Sequence, residues 1–313
     1  MNNDNQRLSP ATPSDTELGG LTGERRRLFE RLTQKGQSSS NPAGGEQEPK
    51  GQPGPQPPKN APRLVRMKRG GARPPFFCVH ALLGSVFPYH KLALHMPDDW
   101  PFYGVESSGL DGKETPHETI EEMAASYLRA IEEVQPDGPL HLGGYSFGGL
   151  VAYDIARLAL EKGRSTRVLA ILGVGAPFKL PAEWEKQVRF ATDYFEDFQK
   201  LVRNAYLAEA KPDAPPPFDC AAFEAKLPPM QRVTLANLRA QVRYTPGAYA
   251  GGLDVFITED QEPFAKGDPS LGWKAFATGP IEQHVIGGNH LSIFEEPQVR
   301  GLAKAITKCL ERP

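Results

Sequence analysis

A single serine, Ser146, lies in the segment Gly-Tyr-Ser-Phe-Gly at residues 144–148. Residues 139–143 before it form a short apolar run typical of a buried strand, and residues 150–161 carry apolar side chains at helical spacing. A serine on so tight a strand-to-helix turn is held in strained backbone, with its hydroxyl exposed at the helix N-terminus. The pattern therefore predicts a nucleophile elbow and acyl transfer through a serine nucleophile.

A histidine late in the chain supplies the base that such a serine needs. His290 ends the segment Gly-Gly-Asn-His, after the apolar run 284–286 and before a helix that we expect Pro297 to open. An imidazole on a loop near Ser146 would take the hydroxyl proton as general base. The alternative is a loop histidine that is solvated or caps the helix. The order serine, acid, histidine along the chain is that of α/β-hydrolases.

Four segments resemble the thioesterase domains of polyketide synthases, non-ribosomal peptide synthetases and fatty acid synthases. They are Phe-Cys-Val-His-Ala-Leu-Leu-Gly-Ser (77–85), Gly-Tyr-Ser-Phe-Gly-Gly (144–149), Tyr-Thr-Pro-Gly-Ala-Tyr (244–249), and Gly-Gly-Asn-His with the later Glu-Glu-Pro (287–297). The resemblance implies an α/β-hydrolase fold, with a mostly parallel central sheet and a helical lid insertion. It also implies a substrate carried on the phosphopantetheine arm of an acyl or peptidyl carrier protein, with no cofactor or metal of the enzyme's own.

The same resemblance implies the donors of an oxyanion hole, the main-chain N–H groups of Phe147 and Leu82. The alternative for the Leu82 segment is an ordinary turn at a strand end. Many members of the family place the triad aspartate after the strand that follows the elbow helix, but residues 172–177 contain no acid. We therefore expect Asp260, in Thr-Glu-Asp-Gln after the next strand, to be the acid, with Glu259 in reserve. An acid at that place is otherwise a turn residue or a helix cap.

Alternating apolar runs and helical patterns predict a doubly wound sheet. A run at 64–67 is expected to pair as a hairpin with the next strand across Gly70 and Gly71. A helix is expected from the N-cap Thr115 to Val134. Further strands are predicted at 76–79, 102–105, 168–172 and 253–257.

The segment 179–240 is predicted to form the lid. Large apolar residues between Trp184 and Val202 recur at spacings of three and four, which places them on one face of a helix. A lid of this character implies an acyl group that is largely apolar and enters a covered channel.

Composition excludes several classes of protein. With 313 residues, 39% hydrophobic residues and a net charge of −2, the chain can bury one large core and offers no electrostatic case for binding nucleic acid. No apolar run approaches the roughly 20 residues that span a bilayer. The three widely spaced cysteines argue against a disulfide framework or a metal site, and a cytoplasmic location is expected.

The first residues differ from the rest. Gly, Pro, Gln, Ser and Asn dominate residues 38–62, a composition that predicts disorder. We therefore divide the chain into a tail at 1–61 and a thioesterase domain at 62–313. The short helical pattern at 21–32 is either a frayed helix or a docking segment for a synthase subunit. A start at Met1 favours a discrete protein that edits stalled carrier proteins, whereas the tail favours a detached terminal domain that releases the product.

The predicted function is hydrolysis or cyclisation of an acyl or peptidyl thioester in polyketide or non-ribosomal peptide biosynthesis, through a Ser146–His290–Asp260 triad and an acyl-enzyme. One alternative is a general carboxylesterase of the same fold. The other is a non-catalytic acyl-binding or scaffold protein that kept the elbow and lost the acid.

Removal of residues 1–61 tests the domain division. Because the composition of 38–62 cannot offset chain entropy by burial, truncation should leave the melting temperature within about 2 °C and the turnover of a small thioester unchanged. Calorimetry of the two forms checks this, and a drop of many degrees would show that the tail packs on the domain.

Overall fold

Seven strands form one sheet in the computed structural model, which describes residues 62–176 and 227–312. In chain order the strands are β1 (Arg63–Lys68), β2 (Phe76–Val79), β3 (Phe102–Glu106), β4 (Leu140–Tyr145), β5 (Thr166–Leu172), β6 (Leu253–Thr258) and β7 (Ile281–Ile286). Their order across the sheet is β1-β3-β2-β4-β5-β6-β7, and every neighbouring pair is parallel except β1 with β3. The predicted α/β architecture with a mostly parallel sheet is confirmed.

Helices cover both faces of this sheet. In chain order they are α1 (His90–His95), α2 (Ile120–Val134), α3 (Phe147–Glu161), α4 (Pro229–Arg243), α5 (Glu262–Ala265) and α6 (Gln298–Leu310). Apolar residues of α2 and α3 form one core with one face of the sheet, and those of α1 and α6 form a second core with the other. None of the helices within the described ranges is long and apolar enough to cross a membrane.

The predicted hairpin between the first two strands is wrong. β1 pairs antiparallel with β3, and β3 lies between β1 and β2. The turn signal itself is real, since Gly70 has a φ of +61° and its position lies against Pro101, just before β3. Pro74 and Pro75, directly before β2, have no N–H with which to continue a ladder from the turn. The chain therefore reverses at Gly70 and leaves a gap that β3 fills.

The first helix after β3 begins later than predicted. Its N-cap is Thr119, whose Oγ1 accepts the N–H of Glu122 at 3.1 Å, so Thr115 is not the cap. Both threonines carry an acidic residue three positions on, but only Thr119 is followed directly by the buried stripe that starts at Ile120. Burial of that stripe decides between two equally good capping signals.

The predicted lid falls only partly within the described ranges. The helix that the sequence predicts between Trp184 and Val202 lies outside them, as does the tail at 1–61. The described end of the insert is α4, which packs against α2 and α3 and leads into the segment 244–249. Tyr153 Oη of α3 donates to the carbonyl of Gly247 at 2.8 Å, which joins this segment to the helix after the elbow.

The close packing at the elbow predicts that a side chain at Gly144 destabilises the fold. A Cβ on Gly144 would lie 2.0 Å from the carbonyl oxygen of Gly148, and backbone at that distance cannot yield without moving α3. Gly144→Ala should therefore lower the free energy of unfolding by about 3 kcal/mol or more. The matched control is Gly301→Ala, in the exposed part of α6 with nothing within 4 Å, which should raise it by up to about 1 kcal/mol.

Urea denaturation of both variants measures the difference. A Gly144→Ala variant as stable as the wild type would contradict the close approach of β4 and α3.

Candidate active site

The candidate site residues follow the carboxyl ends of neighbouring parallel strands. Leu82 comes after β2, Ser146 after β4, Asp260 after β6 and His290 after β7. Because parallel strands end at a common edge, the topology brings these four segments to one side of the sheet.

Ser146 has the strained backbone expected of a nucleophile elbow. It is the N-cap of α3 with φ 53° and ψ −123°, and Leu271 is the only other non-glycine residue with positive φ in the described ranges. Its N–H donates to the carbonyl of Leu172 at the end of β5, at 2.8 Å. This bond anchors the strained residue to the neighbouring strand, so the turn keeps its geometry.

The start of α3 packs against the loop that follows β2. A Cβ on Gly148 would lie 2.4 Å from the carbonyl oxygens of both Val79 and His80. Phe147 is the first residue of α3, so its N–H has no acceptor within the helix, and its ring stacks on that of His80 at 5.9 Å. The structure therefore brings the main chain of Phe147 beside the loop that contains Leu82.

The His290 loop is held by its own side chains and by its neighbours. Asn289 Oδ1 accepts the N–H groups of Leu291 and Ser292 at 3.0 and 3.1 Å, which makes a local turn. The ring of Tyr145 lies 4.7 Å from that of His290, and Tyr145 Oη donates to the His290 carbonyl. Because Tyr145 directly precedes Ser146, these contacts bring the imidazole to the elbow.

The imidazole of His290 rests on Gly173, the first residue after β5. A Cβ there would lie 2.9 Å from His290 Nδ1, and Gly173 has a φ of +67°. Both the contact and the backbone conformation favour glycine at this position. The space that a side chain at position 173 would need is thus filled by the imidazole of His290.

Burial lowers the pKa of His290 to about 4, and the negative charge of Asp260 opposes this effect. The imidazole is therefore neutral at neutral pH, the form that accepts a proton.

Asp260 and Glu259 take different parts. Asp260 Oδ1 accepts the hydroxyl of the buried Thr258 at 2.5 Å, which orients the carboxylate. Glu259 Oε2 instead accepts the N–H of Gly288 at 3.0 Å, so it supports the backbone of the histidine loop. Gln261 Nε2 donates to the carbonyl of Gly173 at 3.1 Å and links the turn after β6 to the position beneath the imidazole.

Sequence reasoning missed these supporting side chains. Tyr145 lies inside the elbow motif, and Thr258 and Gln261 flank the predicted acid, so all three were visible as polar residues at strand ends. The Gln261 bond to Gly173 and the Tyr145 bond to His290 join residues more than 80 positions apart and carry no local signal, whereas Thr258 bonds Asp260 only two positions away.

One group of metal-type ligands exists within 62–176 and 227–312: Asp254, His284 and Cys309. It lies at the amino end of β6, away from Ser146. Arg312 binds both carboxylate oxygens of Asp254, at 2.8 and 3.0 Å, and His284 Nε2 lies 2.8 Å from Oδ1. Burial, with the Asp254 charge, raises the pKa of the Cys309 thiol to about 12, so it stays protonated. The group is an ion-pair network that fixes the end of α6 to the sheet.

Comparison with known proteins gives the family. Residues 74–310 match the model described as "Thioesterase domain". The malpibaldin synthetase of Mortierella alpina is 28% identical over 250 residues, which cover 80% of this chain and 4% of the synthetase. A dimodular nonribosomal peptide synthase of Bacillus subtilis is 29% identical over 269 residues, which cover 79% of this chain and 11% of the synthase. The chain thus spans only a small part of these relatives.

A solved structure shares the fold. The Vlm2 thioesterase domain, bound with a dodecadepsipeptide, is 24% identical, with a TM-score of 0.57 over 80% of this chain and 98% of that domain. At that identity the likeness concerns the architecture, whereas the family model covers strands β2 to β7, the elbow and the histidine loop. The chain belongs to the thioesterase domain family, as its four motifs predicted.

Proposed function

We propose that Ser146 attacks a peptidyl or acyl thioester carried on the phosphopantetheine arm of a carrier protein and forms an acyl-enzyme. One observation carries the proposal: the His290 imidazole, neutral and partly buried, lies against Gly173 and against Tyr145, the residue directly before a serine held at φ 53° on the N-terminus of α3. A strained serine and an adjacent neutral imidazole are the two parts that acyl transfer needs.

The remaining groups fit the steps of that reaction. His290 takes the Ser146 proton as the oxygen attacks the carbonyl carbon and then gives it to the departing thiolate of the carrier arm. The N–H groups of Phe147 and Leu82 stabilise the oxyanion of the tetrahedral intermediate, a contribution of about 2.7–4 kcal/mol for each such donor. Water, or a hydroxyl or amine of the same acyl chain, then attacks the ester.

Asp260 serves as the third member of the triad. Its carboxylate stabilises the imidazolium that forms when His290 takes the proton, and this agrees with the direction in which its charge moves the pKa of His290. The bond from the buried Thr258 hydroxyl holds the carboxylate in place.

The relatives favour a peptide substrate among the classes predicted from the sequence. Several relatives are named as nonribosomal peptide synthases or synthetases, and the Vlm2 domain is bound with a depsipeptide. The carrier protein that delivers the thioester would supply the phosphopantetheine, so the enzyme needs no cofactor of its own. The buried free thiols Cys78 and Cys309 fit a reducing cytoplasm.

Replacement of the nucleophile tests the mechanism. Ser146→Ala should reduce turnover of acyl-carrier and simple acyl-thioester substrates by on the order of 10⁴-fold or more, because the triad acts as a unit. Circular dichroism and melting temperature should remain those of the wild type. Retained thioester turnover in Ser146→Ala would contradict the assignment of Ser146 as nucleophile. A wild type that hydrolyses oxygen esters but not thioesters would favour the carboxylesterase.

The acid is tested by a pair of neighbouring variants. Asp260→Ala should lower kcat by on the order of 10⁴-fold with the protein still folded, as for other triad acids. Glu259→Ala removes one exposed hydrogen bond of the histidine loop and should cost tenfold at most, since such a bond is worth about 0.5–1.5 kcal/mol. Steady-state kinetics of both decide the assignment. Full activity of Asp260→Ala would refute it, and a large loss in Glu259→Ala alone would transfer the role to the reserve acid.

A further inference from the structure

The lid insert makes a buried contact with the oxyanion loop. Asn237, on α4, is fully buried, and its Nδ2 donates to the carbonyl oxygen of Leu82 at 2.8 Å. The two residues are 155 positions apart in the chain. Leu82 is the residue whose N–H we assign to the oxyanion hole, so the bond joins the insert to that loop.

Helix α4 lies directly on the turn that contains Leu82. The N–H of Gly84 donates to the carbonyl of Ala81 at 2.9 Å, which closes the turn, and Gly84 has a φ of +81°. A Cβ on Gly84 would lie 2.4 Å from Cγ1 of Val233 on α4. The turn therefore has no room to shift towards the helix, and glycine at this position allows the close approach.

The two peptide planes that flank Leu82 are both fixed. The carbonyl of Ala81 belongs to the same planar peptide as the N–H of Leu82, and it accepts bonds from the Gly84 N–H and from His80 Nδ1 at 2.8 Å. The other ring nitrogen of His80 contacts Tyr127 Oη at 2.8 Å, so the ring is held from both sides. Because a trans peptide directs its N–H opposite to its C=O, these bonds orient the Leu82 N–H.

Asn237 fixes the second plane. Its bond to the Leu82 carbonyl holds the peptide between Leu82 and Leu83, and two fixed planes leave the Leu82 backbone little freedom. No partner for Asn237 Oδ1 is found within the described ranges, so the Leu82 carbonyl is the polar contact that offsets the burial of this amide. An apolar residue would fill the same space on α4 without that desolvation cost.

We propose that Asn237 is a positioning residue, which couples the lid helix α4 to the oxyanion hole by holding the Leu82 backbone. The inference rests on the proposed function, in which the Leu82 N–H binds the oxyanion. It makes the hole complete only while α4 is seated on the loop, so a displacement of α4 would change transition-state binding.

The experiment compares Asn237→Leu with a control on the same helix. Thr234 is also buried, but its hydroxyl donates to the carbonyl of Met230 within α4, so Thr234→Val removes a buried polar group without touching the loop. Asn237→Asp, which keeps the shape and loses the N–H donor, replaces Asn237→Leu if that variant does not fold. Circular dichroism establishes the folded fraction of each protein.

Two rates are measured on the full chain: turnover of an acyl N-acetylcysteamine thioester, and labelling of Ser146 by a fluorophosphonate. We expect Asn237→Leu to lose on the order of 10²-fold in kcat and in the labelling rate, as for a misplaced oxyanion donor. KM should stay within about twofold, because ground-state binding does not use the oxyanion hole. Thr234→Val should retain both rates.

Equal rates in Asn237→Leu and Thr234→Val would overturn the inference, as would a loss confined to KM. Labelling of the wild type without thioester turnover would contradict the proposed substrate while the labelling rates still test Asn237. A wild type that neither labels nor turns over would refute both proposals.

Discussion

The close approach of helix α3 to the sheet edge is the constraint on which the site depends. Two glycines permit it, since Gly144 lies against the backbone of Gly148, and Gly148 lies against the carbonyls of Val79 and His80. This contact forces the chain through a strained serine and directs the first N–H groups of α3 towards the loop after β2. A looser turn would separate the nucleophile from one of its oxyanion donors, and no side-chain change elsewhere would restore the geometry.

The proposed place of the acid, after β6 and not after β5, agrees with how the His290 ring is seated. Because the His290 ring occupies the space over Gly173, a carboxylate on that residue would have to displace the imidazole. An acid after the next strand avoids the conflict, and the turn at Glu259–Gln261 supplies it. The bond from Gln261 to the Gly173 carbonyl ties the two strand ends together. In this chain the glycine after β5 and the acid after β6 therefore depend on each other. A substitution at only one of the two positions would disturb the seat of His290 or remove its acid.

Much of this was visible in the sequence because it depends on local patterns. The elbow, the strands β4 to β6 and the glycine-rich histidine loop each combine a periodic apolar run with a turn signal, and the order of strand ends then brings Ser146, Asp260 and His290 to one edge. The predictions of the hairpin and of the helix N-cap were wrong because the local sequence favoured two alternatives equally. Gly70 marks a turn whichever strand lies beside β1, and Thr115 and Thr119 are equally good caps, so pairing and burial decided the outcome. Contacts such as Asn237 with Leu82 have no local signature at all.

The two ends of the sheet are built differently, and the difference suits an acyl transferase. At the amino end of β6, Asp254 is bonded to His284 of β7 and forms an ion pair with Arg312, which fixes the chain just after α6 to the sheet. At the carboxyl end the site is assembled from loops and one insert helix, held by single hydrogen bonds to main-chain carbonyls of Leu82, Gly173 and His290. Bonds of this kind are individually weak, at about 0.5–1.5 kcal/mol, so the loops that carry His290 and Asp260 can adjust to an acyl chain while the sheet beneath them stays fixed. Ser146, at the junction of β4 and α3, and the Leu82 turn, held against α4, belong to the rigid part, whereas His290 and Asp260 lie on the adjustable loops. Differences in rate between substrates should therefore originate in how the loops of His290 and Asp260 are held against Ser146.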